Sequence, residues 1–203
     1  MKVSLWLIPP KHIYKPLEKE IQELAKIDKT PTFLPHITIA SGYVEQAVES
    51  HKLPQIIQNL KESFSNFGAI PCTFDKDLGI VEGYNQEKQE YQWNQSTVAI
   101  LKREQKFMQS IFLARKILFD DEKGFEARMA MNSFDNVDFQ DTFRPPTNEP
   151  HLSFAYSTKP LARFVKYYPE DFESTELALF ETDPSSLDGV KNWKEIARIK
   201  WST

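Results

Sequence analysis

The same six-residue pattern occurs twice in this chain. Residues 35–40 read PHITIA and residues 150–155 read PHLSFA. Each copy is a proline, a histidine, a large apolar residue, a hydroxyl residue, a second large apolar residue and an alanine. With average residue usage, a chance second match in a chain of this length has a probability on the order of one in a thousand or less. The repeat therefore predicts an internal duplication.

Each copy has the alternation of polar and apolar residues that is typical of a β-strand. Successive side chains of a strand point to opposite faces, so His36 and Thr38 share one face, as do His151 and Ser153. The apolar residues between them anchor each strand in a core. Two such strands facing each other would frame a cleft that holds two imidazoles and two hydroxyls.

This set of groups suits the hydrolysis of phosphate esters. Imidazole titrates near neutrality, so one ring of a pair can be a neutral base while the other is a protonated acid. Hydroxyls can donate to the non-bridging oxygens on which charge accumulates in the transition state. We therefore interpret His36 and His151 as catalytic and Thr38 and Ser153 as phosphate contacts. That division of work requires no metal.

The remaining pattern predicts an α+β fold, because strands and helices alternate while the strands are short and the connections uneven. We expect strands over 1–8, 33–40, 72–81, 97–101, 151–156, 177–182 and 193–201. We expect helices over 15–26, 53–64, 104–119 and 161–168, with Pro54 in the first turn of the second. The polar stretch 83–95 is interpreted as a long hairpin loop, and 120–149 as an irregular connection.

Three aromatic residues near these strands have their own expectations. Trp6 has two open roles, since it either lines the cleft and stacks on a base, worth about 1–3 kcal/mol, or belongs to the core. Tyr156 falls on the strand face opposite His151 and is expected to pack rather than to contact a ligand. Trp193 is expected on the same face of the last strand as Ile199.

Charge and hydropathy limit the partners. The 203-residue chain has a formal net charge of −4 and a pI near 5.7, and its Lys and Arg form no cluster that would follow a nucleic-acid backbone. We expect a small anionic ligand, which needs only a few local donors, and no long nucleic acid. No apolar stretch approaches the roughly 18 residues of a membrane span.

Cys72 is the only cysteine, which excludes an intramolecular disulfide and a four-cysteine zinc site. A single cysteine fits a reducing compartment, so we expect an intracellular protein, cytoplasmic by default, with endomembrane association left open. His12 and His51 have no partner pattern and are expected on the surface. Because no metal-ligand spacing of histidines occurs, neither a metal nor a cofactor is expected.

The paired motifs His36-x-Thr38 and His151-x-Ser153 resemble those of the two-histidine phosphoesterase superfamily. Within it, residues 5–10, LWLIPP, and residues 150–157, PHLSFAYS, resemble the fungal branch of cyclic phosphodiesterases. The resemblance implies one domain over 1–203 with two intertwined, pseudo-symmetric α+β lobes and one motif on a strand of each.

The same resemblance implies an activity. Members of that branch hydrolyse 2′,3′-cyclic nucleotides to nucleoside 2′-phosphates, and ADP-ribose 1″,2″-cyclic phosphate to ADP-ribose 1″-phosphate, downstream of tRNA splicing. It also implies His36 as the acid and His151 as the base, a division that the residues alone leave open. The expected partner is thus a small cyclic nucleotide or ADP-ribose cyclic phosphate, bound by a monomer. The stretch 120–146 matches no pattern of the family.

Two other functions remain open. One is the processing of RNA ends or 2′–5′ linkages, as in other branches of the superfamily, which requires a basic approach surface. The other is a non-catalytic module that binds a nucleotide or RNA in the same cleft. Loss of either histidine would favour the second, but both are present.

Overall fold

The fold is α+β, as predicted. The computed structural model describes residues 1–43, 46–85, 90–120, 126, 150–157, 165–183 and 187–202. Within them the helices are α1 (Lys11–Asp28), α2 (Gln46–Phe67) and α3 (Gln105–Phe119), with a short 3₁₀ turn at Val190–Asn192. The strands are β1 (Lys2–Leu7), β2 (Ile37–Tyr43), β3 (Ile70–Cys72), β4 (Phe74–Asn85), β5 (Glu90–Leu101), β6 (His151–Ser157), β7 (Phe172–Ser174), β8 (Glu176–Glu181) and β9 (Lys194–Lys200).

Seven strands form one antiparallel sheet in the order β4-β5-β6-β2-β1-β8-β9, and β3 pairs with β7 in a second, small sheet. The first motif lies in the half β2-β1-β8-β9 and the second in the half β4-β5-β6. These halves meet between β2 and β6, where the described ladder contains a single pair, Ile37 with Leu152. None of the described helices is long and apolar enough to cross a bilayer.

One face of the large sheet is covered by the helices. On α1 the residues Ile13, Leu17 and Leu24 recur at helical spacing, are almost fully buried and join the main core, which is the amphipathic pattern expected of a helix against a sheet. From the sheet, Leu5 and Leu179 point into the same core. Because alternate residues point the other way, the opposite face remains for polar and aromatic groups.

A β-bulge between β1 and β2 aligns the first motif with that opposite face. Leu5 pairs with Ala40 and Trp6 pairs with Thr38, so Ile39 has no residue opposite it. Ile39 and Ala40 both lie in the main core. A bulge adds one residue to one strand and shifts the alternation beyond it, so Thr38 shares the face of Trp6.

A second bulge, between β8 and β9, corrects the expectation for Trp193. Leu179 pairs with Ala197 but Phe180 pairs with Glu195, so Ile196 is the additional residue. Ile199 lies in the main core, whereas Trp193 packs against the separate cluster that contains Phe180. The prediction of one common face was wrong because it assumed unbroken alternation.

Several predicted boundaries also differ. β2 begins at Ile37 rather than at residue 33, since Pro35 has no N–H to donate to a ladder. α2 begins at Gln46, so Pro54 lies inside the helix and not in its first turn. The hairpin strands β4 and β5 extend through most of 83–95.

Two predictions lie wholly or partly outside the described residues. The connection 120–149 lies outside them except for residues 120 and 126. The predicted helix 161–168 lies outside them over residues 161–164. Its last four residues, 165–168, are described and are not helical.

Candidate active site

The two histidine motifs lie side by side in the sheet. Their strands are antiparallel, and Ile37 pairs with Leu152. Ile37 and Leu152 both lie in the main core, and their neighbours along each chain point the other way. The two imidazoles and the two hydroxyls therefore lie on the same face of the sheet, beside this pair. The arrangement is a local two-fold repeat, as the duplicated sequence predicts.

His36 is buried, with 5% of its surface exposed. Its Nδ1 lies 2.6 Å from the carbonyl oxygen of Leu34, and since a carbonyl only accepts, Nδ1 carries the hydrogen and Nε2 the lone pair. Burial lowers the pKa of His36 to about 4, against the opposing effect of that hydrogen bond, and the charge of His151 lowers it further. The ring is therefore neutral at pH 7, with a proton acceptor at Nε2.

His151 is the first residue of β6 and is half-buried. It pairs with Ile100 on β5, and Pro150 directly before it accepts a hydrogen bond from the amide of Leu101. Its charge acts on His36, so the two rings are electrostatically coupled. The two motif histidines are thus brought together, one buried and one accessible.

The hydroxyl residues differ in exposure as the histidines do. Thr38 is half-buried beside Trp6, its partner on β1. Ser153 is buried, with 4% exposed, and its side chain hydrogen-bonds to Tyr156.

Tyr156 packs as expected, with 2% of its surface exposed, but it does so beside Ser153 and the site aromatics, which corrects its assignment to the face opposite His151. Its ring stacks on Phe33 at 4.0 Å between centroids, and its hydroxyl bonds with Ser153; burial raises the pKa of Tyr156. Tyr156 is paired with Gln95 of β5 on one side, but on the other side the described ladder with β2 consists of the pair Ile37–Leu152 alone. Its ring there meets Phe33, which precedes β2. The ring of Tyr156 can therefore reach the histidine side.

Trp6 is held between two rings. The indole stacks on His36 at 3.8 Å and 16°, and on Phe180 at 4.0 Å and 21°. Two rings at that distance and so nearly parallel must lie on opposite faces of the indole. Trp6 is only 2% exposed, so a base has no face of this ring on which to stack.

Two further aromatic residues were missed by sequence reasoning. The edge of Phe33 contacts His36 at 6.1 Å, and Trp193 contacts both Trp6 at 5.7 Å and Tyr156 at 6.0 Å. The imidazole of His36 and four aromatic rings therefore form a closed chain of contacts at the site. The four are Phe33, Tyr156, Trp193 and Trp6. Phe33 had a detectable signal, since it lies three residues before a motif histidine, whereas Trp193 required the bulge in β9.

The remaining candidates lie elsewhere. His12 is exposed in the first turn of α1, on the surface as expected. The side chain of His51 lies outside the described residues. Cys72 is buried in β3, and burial raises the pKa of its thiol. Across the described ranges, no three or more His, Cys, Asp or Glu side chains converge as metal ligands would.

The profile of the family described as "Cyclic phosphodiesterase-like protein" matches residues 1–163. This range contains both motifs, Trp6 and Tyr156, while Trp193 lies beyond it. No curated protein matches the chain.

Two solved structures have similar folds. The protein TT0787 of Thermus thermophilus is 13% identical with a TM-score of 0.55, over 98% of this chain and 97% of that one. LigT of E. coli, complexed with 3′-AMP, is 11% identical with a TM-score of 0.50, over 100% of this chain and 98% of that one. At such low identity the likeness is one of fold, and it agrees with the α+β architecture.

Proposed function

Because this chain belongs to the family of cyclic phosphodiesterase-like proteins, we propose that it hydrolyses 2′,3′-cyclic nucleotides to nucleoside 2′-phosphates, with His36 and His151 as its acid–base pair. By the same chemistry it opens ADP-ribose 1″,2″-cyclic phosphate to ADP-ribose 1″-phosphate. The resemblance of residues 5–10 and 150–157 to the fungal branch, which implies an activity downstream of tRNA splicing, supports these two esters as substrates.

One observation carries the proposal. The pair Ile37–Leu152 sets the two motifs in antiparallel register, so two imidazoles and two hydroxyls converge on one face of the sheet. A phosphate bound over this register lies within reach of a proton acceptor, a proton donor and two hydroxyl donors. These are the groups that opening a cyclic phosphate requires.

The state of His36 favours it as the base, which reverses the division implied by the resemblance. Its Nδ1–H is engaged by the carbonyl of Leu34, and burial keeps the ring neutral. Nε2 takes a proton from the attacking water as the water oxygen bonds to phosphorus. The P–O3′ bond breaks, and the more exposed His151 gives its proton to the leaving 3′ oxygen. One water is consumed. His36 ends protonated with a proton from the water and His151 ends neutral, so proton exchange with solvent restores both rings before the next turnover.

The hydroxyls stabilise the charge that develops on phosphorus oxygens. Thr38 and Ser153 lie on the same face of the sheet as the two histidines, so each can donate to one non-bridging oxygen. The hydroxyl of Tyr156, which bonds with Ser153, stays protonated because burial raises its pKa. It can donate to the oxygen of Ser153, which leaves the hydroxyl hydrogen of Ser153 for the phosphate. This network replaces the charge stabilisation that other phosphoesterases obtain from a metal ion.

The test is to incubate the purified protein with 2′,3′-cyclic AMP, with and without saturating EDTA. Phosphorus NMR identifies the product and follows the rate. We expect 2′-AMP, at a rate that EDTA does not change. Formation of 3′-AMP would mean that the other ester bond breaks. Tight binding without turnover would indicate a nucleotide-binding module, and turnover of 2′–5′-linked RNA alone would indicate an RNA-end enzyme. Loss of activity in EDTA with recovery in Mn²⁺ or Zn²⁺ would overturn the metal-free mechanism.

A further inference from the structure

Ser4 is a buried hydroxyl on the site face of β1 that the proposed reaction does not use. Its Oγ accepts a hydrogen bond from the indole Nε1–H of Trp6 at 2.7 Å. Ser4 is 5% exposed and Trp6 is 2% exposed, so this hydrogen bond is shielded from water. A buried indole N–H needs an acceptor, and Ser4 is two residues away on the same face.

The indole held by Ser4 in turn fixes His36. Its two faces are covered by the imidazole at 3.8 Å and by Phe180 at 4.0 Å. Phe180 lies on the neighbouring strand β8, at the position that pairs with Ser4. The indole is therefore fixed in its own plane by the hydrogen bond and perpendicular to that plane by the two rings.

His36 has two degrees of freedom that matter for proton transfer. The stack on Trp6 sets the plane of the imidazole, and the hydrogen bond from Nδ1 to the carbonyl of Leu34, 2.6 Å long, sets its rotation within that plane. With both fixed, the lone pair on Nε2 points in one direction. Effective proton transfer depends on that direction, and small displacements cost rate steeply.

We propose that Ser4 and Trp6 are positioning residues for His36, with Ser4 acting through the indole N–H. The proposal rests on the hydrolytic function above for its kinetic consequence, but the orientation and shielding of His36 exist without substrate. Trp6 also shields the ring from water, so a loosened indole admits water and allows His36 to charge more easily. Among the described residues, His151 is the titratable group whose charge acts on His36.

The first measurement is an NMR titration of the His36 ring in the full-length protein without substrate. In Ser4→Ala the indole loses its acceptor, and we expect the pKa of His36 to rise from about 4 towards 6.5 because water reaches the ring. The matched control is Ser110→Ala, since Ser110 is also a fully buried serine, but its hydroxyl donates to the carbonyl of Phe107 within α3. This control should leave the titration of His36 unchanged.

The second measurement is a double-mutant cycle in the hydrolysis of 2′,3′-cyclic AMP. We expect Ser4→Ala and Trp6→Phe each to lower kcat about 10-fold with little change in KM, because they misdirect Nε2 rather than remove a substrate contact. Ser4→Ala should have no further effect in the Trp6→Phe background, which lacks the indole N–H. Should Trp6→Phe fail to fold, the comparison of Ser4→Ala with Ser110→Ala decides.

An unchanged pKa of His36 together with an unchanged kcat in Ser4→Ala would overturn the proposal, as would an equal effect of Ser4→Ala in both backgrounds. If the wild type fails to turn over cyclic phosphates while the titration still shifts in Ser4→Ala, the hydrolytic function fails and the positioning of His36 stands.

Discussion

The environment of His36 decides which proton this residue can move. Aromatic rings and a backbone carbonyl surround it, and burial holds its pKa near 4, so the ring enters the reaction neutral. His151 is half-buried, so it is partly open to solvent. In the proposed mechanism, the two identical side chains therefore have different roles because their surroundings differ, which is how paired groups divide acid and base work.

Removal of either motif histidine tests this division. We expect His36→Ala and His151→Ala each to lower kcat for 2′,3′-cyclic AMP by at least about 10²-fold, through loss of a general base or acid. The matched control is His12→Ala, since this exposed residue of α1 should leave the rate near that of the wild type. Full activity in a folded His36→Ala protein would refute the assignment.

The hydroxyls should matter less than the imidazoles. Thr38→Ala and Ser153→Ala each remove one donor to the phosphate and should lower kcat roughly 10- to 10³-fold. Ser41→Ala, on the same strand as Thr38 but further along β2, serves as the control. If both motif substitutions left kcat unchanged, the phosphate would have to be held by other groups.

The four motif residues could be predicted because their pattern is repeated and each lies within a short, regular stretch. Among the aromatic residues around them, Tyr156 and Trp193 could not be placed at the site. The ring of Tyr156 reaches a residue outside the sheet, and Trp193 changes face at a bulge, and neither event leaves a signal in local alternation. The environment that sets the pKa of His36 was therefore absent from the sequence-based account.

At the scale of elements, two β-bulges organise the site. The bulge at Ile39 lets β2 keep its apolar residues in the core while Thr38 turns to the face of Trp6. The bulge at Ile196 brings Trp193 to the same face. Bulges insert a residue without a sequence signature of their own, so alternation predicted the face of Thr38 correctly and that of Trp193 incorrectly.

Packing between β2 and α3 depends on Gly42. A Cβ at this position would lie 2.8 Å from the ring of Phe119 at the end of α3, closer than side-chain contacts allow. We expect Gly42→Ala to lower the free energy of unfolding by about 1–3 kcal/mol through overpacking, as measured by urea denaturation. The neighbouring Ser41→Ala should change it by less than about 0.5 kcal/mol. Equal stability of both variants would mean that Phe119 moves aside freely.

At the scale of the whole molecule, the sheet is assembled from two halves that share one described residue pair at their boundary. The α+β class and most of the strands followed from periodicity, which local sequence encodes. The order of the strands and the boundary between the halves depend on long-range pairing, which periodicity does not encode. The site lies at that boundary, so its geometry depends on how the halves meet.

The buried histidine should make the free energy of unfolding depend on pH. The pKa of His36 is about 4 when folded and 6.5 when unfolded, so the unfolded chain binds more protons between these values. Stability due to the neutral ring is complete above pH 6.5 and is lost as pH falls towards 4, by on the order of 3 kcal/mol. In His36→Gln this loss should disappear from the pH dependence of urea unfolding. Parallel curves for wild type and variant would mean that His36 is not buried as neutral imidazole.

The most direct test of the paired mechanism is the pH dependence of kcat/KM for 2′,3′-cyclic AMP in the wild type and in His36→Ala. A neutral base and a protonated acid together give a bell-shaped profile, whose limbs belong to the coupled pair. We predict a bell for the wild type with an acidic limb well below pH 6.5, and loss of mainly that limb in His36→Ala. A single sigmoid that does not fall up to about pH 9 would mean that no protonated imidazole is needed and would contradict the account, and loss of the basic limb in His36→Ala would contradict its assignment as the base.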